Sequence, residues 1–390
     1  MPPKPRGRLF FANPGPTNIP DSILRAIDRP SADFMDEGFI ALFEDCSARL
    51  KQVLRTDGHI FMYAASGHGA WEASLVNLFS PGDTLLMLES GYFSESWTEM
   101  AHKFGLSVET VPADWRRGAQ AEAVKAALAA DTGHRISAVC TVHNETSTGV
   151  TLPVAAIRAA LDETKHPALL LSDTISSLGS LPYTMDAWGI DLTVGGSQKG
   201  LMLPTGMSFT AVSQKAMVAH AKATMPRHYL DWSVMLTRRH KSFVGTIPTQ
   251  MFHGLAEALR LLEEEGMEAV YARHHRLAKA VRAAVKVWSG NDGPQLFCTD
   301  PVRYSDSVTA ILMPEGHNAE GVRKAAARYN VSLGGGLGKL GGRVFRIGHL
   351  GDLNEPMILG TLAAVELSLR DAGVPHGRGG VTAAMETLSG

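Results

Sequence analysis

TVGGSQKGLMLP, residues 193–204, sets a lysine among small residues directly after an apolar segment, and the fold of the chain can be worked out from this stretch. The glycines on either side of Lys199 give the backbone freedom and leave room for a flat ligand. A buried lysine loses its charge readily, and its neutral amine is a nucleophile for aldehydes. The alternative is that Lys199 is an exposed residue in a surface loop. The surrounding segments are needed to distinguish a buried, reactive lysine from an exposed one.

Apolar segments alternate with helix-like segments before residue 254. Strands are predicted at 59–64, 84–88, 137–142, 168–171, 191–194 and 207–212, with helices at 69–79, 94–104 and 154–163. Strands that are apolar on both faces and separated by helices predict a mostly parallel sheet covered by helices, which is an α/β fold. Beyond residue 254, long helices and isolated strands predict a smaller α+β domain.

The predicted organisation has four parts. They are an N-terminal segment that contributes to the active site (1–20), a large domain (21–260), a small C-terminal domain (261–375) and a loosely held tail (376–390). The tail is predicted to be loose because it is rich in Gly, Ala and Ser.

Composition and charge argue against several classes of partner. The chain has 390 residues, 45% of them hydrophobic, with 37 Lys and Arg against 39 Asp and Glu. This balance argues against nucleic acid and anionic membranes, and no apolar segment approaches the roughly 18 residues that a membrane helix needs. Cys46, Cys140 and Cys298 lie far apart in the sequence. We therefore expect buried thiols, no metal site and a cytoplasmic location.

Ligands of open α/β sheets bind at the carboxyl ends of the strands. Ser66-Gly67-His68 stands between a predicted strand and a helix, where free backbone N–H groups favour an anion. Asp173 follows another predicted strand, and a buried carboxylate needs a cation or hydrogen-bond donors. Each has an alternative as a simple cap of the following helix or turn. Together with Lys199, they match the three needs of pyridoxal phosphate, which are a phosphate cradle, an acid at the ring nitrogen and a lysine for the aldehyde.

Five motifs carry a resemblance to a known family. They are SGHG (66–69), HNETSTG (143–149), LLLSDTISSLGS (169–180), GGSQKGLMLP (195–204) and VFRIGHLGD (344–352). In these motifs the chain resembles the class V aminotransferases of fold type I, and more narrowly the serine–glyoxylate and alanine–glyoxylate enzymes. The resemblance implies a large domain with a mostly parallel seven-stranded sheet and a cytoplasmic homodimer with shared active sites.

The resemblance also implies a role for individual residues. Lys199 would form the Schiff base and then move the substrate's Cα proton, and Asp173 would pair with the pyridine nitrogen. Phe93 would stack on the ring, with Tyr92 as the alternative, and Thr146 would bind the ring's phenolic oxygen. The phosphate would be held by Ser66, Gly67, His68, Gln198 and, across the dimer interface, Thr246 of the neighbouring chain. The substrate carboxylate would bind Arg346 and the backbone of Gly15.

The implied activity is ping-pong transamination between a small amino acid, serine or alanine first, and an oxo acid, glyoxylate first. Alternatives are ureidoglycine–glyoxylate or aspartate–glyoxylate transamination, a lyase on the same scaffold, or a non-catalytic protein that binds pyridoxal phosphate. One departure bears on the donor, because Phe34-Met35-Asp36 stands where the serine–glyoxylate enzymes carry His-Arg-Ser near the site entrance. An acid in place of a cation disfavours donors with a second carboxylate.

Overall fold

A computed structural model describes residues 6–237 and 243–390 of the chain. In this part the strands are β1 (Phe10–Ala12), β2 (His59–Tyr63), β3 (Thr84–Leu88), β4 (Ser107–Val111), β5 (Ile136–Val142), β6 (Asn144–Glu145), β7 (Val150–Thr151), β8 (Leu169–Asp173), β9 (Leu192–Gly196), β10 (Ser208–Val212), β11 (Gln295–Leu296), β12 (Val308–Leu312), β13 (Val331–Gly335) and β14 (Val344–Gly348). The helices are α1 (Asp21–Ile27), α2 (Glu37–Leu54), α3 (Gly67–Leu78), α4 (Tyr92–Lys103), α5 (Ala121–Ala130), α6 (Val154–Glu163), α7 (Gln214–His220), α8 (Trp232–Leu236), α9 (Thr249–Glu265), α10 (Met267–Trp288), α11 (Ala319–Arg328), α12 (Glu355–Asp371) and α13 (Gly380–Ser389).

The larger sheet of the described chain has seven strands in the order β2-β10-β9-β8-β5-β3-β4. Only β10 runs against its neighbours, and the other strands are parallel to one another. The central strands β8 and β9 are buried throughout, as expected for a sheet covered by helices on both faces. This confirms the predicted α/β fold class, and it brings the carboxyl ends of β2, β3, β5, β8 and β9 to one edge.

The edge strand β4 was missing from the sequence prediction. Its sequence, SVETV, is mostly exposed, and only Val111 at its end is buried. An edge strand of this kind lacks the apolar run that marks the central strands of a parallel sheet. It pairs with β3 over its full length and completes the sheet on the side away from β2.

The smaller sheet joins the two ends of the chain. Its order is β1-β13-β14-β12-β11, and β1 near the N-terminus pairs in parallel with β13. Strand β14 is fully buried between β12 and β13, which places Arg346 opposite Ala310 on one side and Gly334 on the other. The N-terminal segment therefore has a fixed anchor before it reaches the edge of the larger sheet.

The last residues differ from the loosely held tail predicted for 376–390. They contain helix α13, whose Ala384 is fully buried in the core of the smaller sheet's domain. Glu366 accepts hydrogen bonds from the Gly379 backbone at 2.8 Å and from the indole of Trp288 at 3.0 Å, and so ties the helix start to α10 and α12. The small residues that suggested a loose tail instead allow close packing, because a side chain at Gly380 would collide with Trp288.

Two further observations concern the chain as a whole. Cys46, Cys140 and Cys298 are all buried and form no disulfide. Burial raises the pKa of each thiol, that of Cys298 to about 11, so all three stay protonated and pack as small apolar groups. Within residues 6–237 and 243–390, none of the helices combines the length and apolar character needed to cross a bilayer.

Candidate active site

A cavity of about 190 Å³ lies at the carboxyl edge of the larger sheet. Its lining is made of strand ends, the start of α3 and the N-terminal segment. Nine of the residues predicted for the site line it, namely Gly15, Ser66, Gly67, His68, Phe93, Thr146, Asp173, Gln198 and Lys199. Arg346 adjoins the cavity through a hydrogen bond to the carbonyl of Thr146, and Thr246 is exposed and lies outside the cavity. The prediction that separate strand ends meet is therefore confirmed by the geometry, whereas the chemical role of each residue stays a prediction.

Lys199 follows β9, and its side chain is buried. Its Nζ donates a hydrogen bond to the carbonyl oxygen of Pro14. Burial, followed by the charge of Arg346, lowers the pKa of the Lys199 amine to about 7, while Asp173 acts in the opposite direction. A large fraction of the amine is therefore neutral near pH 7, which is the form that attacks an aldehyde.

Asp173 is the last residue of β8, and its carboxylate faces the same cavity. Oδ1 accepts a hydrogen bond from the backbone N–H of Ile175 at 2.7 Å, and Oδ2 accepts one from the indole Nε1 of Trp71 at 2.9 Å. Burial raises the pKa of Asp173 to about 7, and the two hydrogen bonds oppose this rise. A cationic group in the cavity would favour the ionised carboxylate and lower this pKa.

The phosphate cradle predicted around Ser66 is the start of α3. Ser66 is the N-cap, and its side chain caps no backbone N–H of the helix in the described structure. A Cβ atom at Gly67 would lie 2.1 Å from Ile175 Cδ1, so a side chain here would displace the end of Ile175 at the edge of the cavity. The helix start thus offers free N–H groups and the positive end of the helix dipole to an anion.

Gln198 gives independent support for a polar ligand in the cavity. Its side-chain oxygen is buried and finds no hydrogen-bond partner among the described residues. An orphaned buried polar atom is uncommon, and an amide can turn either its N–H donors or its oxygen toward a ligand. The uncapped helix, this amide, the acid and the buried lysine together fit pyridoxal phosphate.

The N-terminal segment covers Lys199. Gly15 adopts φ +109°, and a Cβ atom there would lie 2.3 Å from Lys199 Cδ and 2.4 Å from Nζ. Thr17 anchors this segment to the loop that carries the lysine. Its Oγ1 donates to the Lys199 carbonyl oxygen at 3.1 Å, and its backbone N–H donates to the Gln198 carbonyl oxygen at 3.2 Å. Residue 15 must therefore be a glycine for two reasons, its backbone conformation and its contact with the lysine.

Phe93 lines the cavity, whereas its neighbour Tyr92 packs close to Gly338. Both residues open helix α4, and the start of this helix is held by the buried carboxylate of Glu145. Glu145 Oε2 accepts from the N–H groups of Phe93 at 3.1 Å and of Ser94 at 3.3 Å. A carboxylate at a helix N-terminus is favourable, so Glu145 holds the start of α4 and with it the backbone of Phe93.

Arg346 lies on β14, close enough to Lys199 for its charge to affect the pKa of the lysine amine. Its Nε donates to the Gly335 carbonyl at 2.8 Å and its Nη1 to that of Thr146 at 3.0 Å. Burial lowers the pKa of Arg346 to about 10, and the negative charge of Glu145 opposes this, so the guanidinium keeps its charge at neutral pH. Guanidinium has five N–H donors in a planar fork, so donors remain for a carboxylate.

Among the residues at the site that sequence reasoning does not single out, Trp71 and Glu145 make direct side-chain contacts with predicted ones. A tryptophan in an apolar helix is ordinarily a packing residue, and the acid partner of Trp71 is 102 residues away in the sequence. Two features of the sequence point to these residues. Trp71 follows the predicted phosphate cradle within the first turns of the next helix, and Glu145 lies within the motif HNETSTG (143–149).

Comparison with known proteins agrees with this site. The family described as Aminotransferase class-V matches residues 9–338. A serine–glyoxylate aminotransferase from Methylorubrum extorquens is 44% identical over 391 aligned residues, which cover 98% of this chain and 96% of the relative. An L-aspartate–glyoxylate aminotransferase from Paracoccus denitrificans is 42% identical over 377 residues, covering 96% of this chain and 94% of the relative. The crystal structure of a ureidoglycine–glyoxylate aminotransferase from Bacillus subtilis has a TM-score of 0.89 at 25% identity, with 99% of each chain covered. The chain therefore belongs to the class V aminotransferases, and its coenzyme is pyridoxal 5'-phosphate.

Proposed function

We propose that this aminotransferase moves an amino group between a small amino acid, serine or alanine first, and glyoxylate, in two successive half-reactions. The observation that carries the proposal is one cavity that contains a buried lysine, a buried acid and an uncapped helix start, with a buried arginine beside it. Relatives that share at least 42% of their residues with this chain act on glyoxylate according to their names.

Lys199 and Asp173 would carry the chemistry. When bound, pyridoxal phosphate supplies an electron sink that makes the Cα–H bond of an amino acid acidic. Lys199, as the neutral amine, would hold the aldehyde carbon and afterwards accept the Cα proton and return it at the aldehyde position. Asp173, as the carboxylate, would keep a proton on the ring nitrogen and so maintain the electron sink.

Arg346 and Gly15 would bind the substrate. The two carbonyls that orient Arg346 leave part of its fork for the substrate's α-carboxylate, a geometry that favours two parallel hydrogen bonds. Gly15 lines the cavity and packs against Lys199, and its backbone N–H would contact the same carboxylate. The other predicted site residues among those that line the cavity would hold the coenzyme, namely Ser66, Gly67, His68, Phe93, Thr146 and Gln198.

The choice of a small neutral donor rests on Asp36. Its carboxylate is exposed and caps helix α2 by accepting a hydrogen bond from the Gly38 N–H at 2.9 Å. In the serine–glyoxylate enzymes that the chain resembles, this segment stands near the site entrance. A carboxylate there would repel a donor that carries a second carboxylate, so we place aspartate behind serine and alanine.

We further propose a homodimer and a cytoplasmic location. Thr246 is exposed in the single chain, which suits a residue that contacts the coenzyme phosphate of a neighbouring chain. The three buried thiols are separate from one another, which suits a reducing compartment.

A donor and acceptor screen tests the proposal. Purified protein with pyridoxal phosphate is mixed with serine, alanine or aspartate, with and without glyoxylate, and glycine and the new oxo acid are quantified. Serine or alanine should give glycine and an oxo acid in equal amounts, and only when glyoxylate is present. Oxo acid released catalytically without glyoxylate would indicate a lyase, and bound coenzyme without glycine from any donor would contradict the proposed activity.

A further inference from the structure

Trp71 makes a direct contact with the acid that serves the coenzyme ring. It lies in helix α3, is 1% exposed and donates a hydrogen bond from Nε1 to Asp173 Oδ2 at 2.9 Å. The other carboxylate oxygen accepts from the Ile175 N–H at 2.7 Å. We propose that Trp71 is a positioning residue that fixes the Asp173 carboxylate for the coenzyme's ring nitrogen. This inference rests on the role proposed above for Asp173.

The orientation of the carboxylate depends on these two donors. The terminal torsion of an aspartate side chain is soft, so a carboxylate without fixed donors samples a broad range of rotations. Ile175 and Trp71 hold one oxygen each, on different elements of the fold. Each oxygen has a second acceptor site, so the group keeps capacity for a donor in the cavity. Loss of the indole N–H would leave only the backbone bond to define the plane of the carboxylate.

The indole itself is held by three aromatic neighbours. Trp97 is stacked against it with ring centroids 5.4 Å apart and an interplanar angle of 7°. Phe93 meets it edge-on at 6.3 Å, and the His68 ring lies at 4.6 Å. Because Phe93 and His68 both line the cavity, Trp71 connects the acid to the residues that we propose for ring stacking and for the phosphate.

The same hydrogen bond favours the charged form of the acid. Burial destabilises an ionised carboxylate, and donors directed at it offset part of this effect. Hydrogen bonds to charged groups are among the stronger ones in proteins, especially where water is excluded. The bond from Trp71 therefore acts on the charge of Asp173 as well as on its direction.

Trp97 offers a matched control. It is the same residue type, it is 0% exposed, and it shares the stacked contact with Trp71. Its indole N–H has no hydrogen-bond partner among the described residues. Trp97→Phe and Trp71→Phe thus make the same change in two adjacent buried rings, and only the second removes a bond to Asp173.

The test measures coenzyme binding and the state of the ring nitrogen. Apoprotein of the wild type, Trp71→Phe, Trp97→Phe and Asp173→Asn is titrated with pyridoxal phosphate, and the ring nitrogen is observed by 15N NMR with labelled coenzyme. Trp71→Phe should weaken binding by about tenfold or more. It should also move the nitrogen signal toward that of Asp173→Asn, while Trp97→Phe matches the wild type. Equal behaviour of the two Trp variants would overturn the inference.

A second readout remains if Trp71→Phe does not fold. Indole 15N–1H spectra are recorded for the wild type and for Asp173→Asn. The indole N–H proton of Trp71 is bonded to a carboxylate in the wild type and faces an amide in the variant. A clear upfield shift of the Trp71 proton in Asp173→Asn, with Trp97 little changed, supports the inference, and an unchanged Trp71 signal overturns it. If Asp173→Asn leaves the ring nitrogen as in the wild type, the role proposed for Asp173 is wrong, which is a separate result from failure of the Trp71 comparison.

Discussion

The place of the Lys199 amine depends on the absence of a side chain at residue 15. A Cβ atom on Gly15 would lie 2.3 Å from Lys199 Cδ and 2.4 Å from Cε and Nζ. Non-bonded carbon atoms prefer separations of about 3.5–4.0 Å, so Gly15→Ala has to displace the lysine, or the segment above it, by about 1 Å. A displacement of this size at a reacting group can lower the rate by about a hundredfold.

Gly82→Ala is the matched control for this substitution. Gly82 also has a positive φ, +91° against +109° for Gly15, and an added Cβ would meet no atom within 4 Å. A residue with a side chain in such a conformation is strained by about 1–3 kcal/mol, and both variants carry this strain. They differ in the contact with Lys199.

The two variants are compared by urea unfolding and by kcat with a saturating donor and glyoxylate. Both should lose about 1–3 kcal/mol of unfolding free energy. Gly15→Ala should in addition lose about a hundredfold in kcat, while Gly82→Ala turns over like the wild type. If Gly15→Ala retained the kcat of Gly82→Ala, the close packing of residue 15 on the lysine would have no part in catalysis.

Three more predictions follow from single groups. Arg346→Lys should raise the KM of carboxylate substrates by about tenfold to a hundredfold in steady-state kinetics, because the two-pronged guanidinium is lost. The control is Arg323 of α11, which donates to the Leu333 carbonyl at 3.0 Å and does not line the cavity, so Arg323→Lys should leave this KM unchanged. The rate at which apoprotein attaches pyridoxal phosphate, measured by stopped flow in a pH series, should rise with pH and level off above the Lys199 pKa of about 7. The reason is that the amine is protonated, and therefore unreactive, below this pKa. A rate that continued to rise beyond pH 9 would contradict the prediction. Ala384→Asp should lower the free energy of unfolding by about 3 kcal/mol or more, because it places a charge in the buried core. Met385→Asp, on the exposed face of α13, should change this free energy little. Equal urea midpoints for the two variants would mean that α13 is not packed as described.

The strand-end residues were predictable because parallel strands leave little choice. Lys199, Asp173 and Ser66 each follow an apolar run, and a parallel sheet brings such positions to one edge whatever their separation in the sequence. Pyridoxal phosphate followed from the chemistry of the three together. The substrate did not, because the atoms that distinguish serine from alanine or aspartate are not specified by this arrangement.

The contacts between side chains distant in sequence were not predictable in the same way. Trp71 and Asp173 lie 102 residues apart, and nothing in either segment marks them as partners before the sheet is assembled. Glu145 caps helix α4 from 52 residues away from Phe93 in the sequence. The tail was misjudged because small residues suit both a loose segment and a tightly packed helix, and only the surface of Trp288 decides between them.

Chemical trapping of the coenzyme tests the identity of the anchoring lysine most directly. The protein is loaded with pyridoxal phosphate, reduced with borohydride to make the attachment permanent, digested and mapped by mass spectrometry. We predict that the coenzyme is recovered on the peptide that contains Lys199, and that Lys199→Ala yields no stoichiometric adduct. Stoichiometric recovery on a different lysine, such as Lys215 near the opposite edge of the sheet, would contradict the assignment of this cavity as the active site.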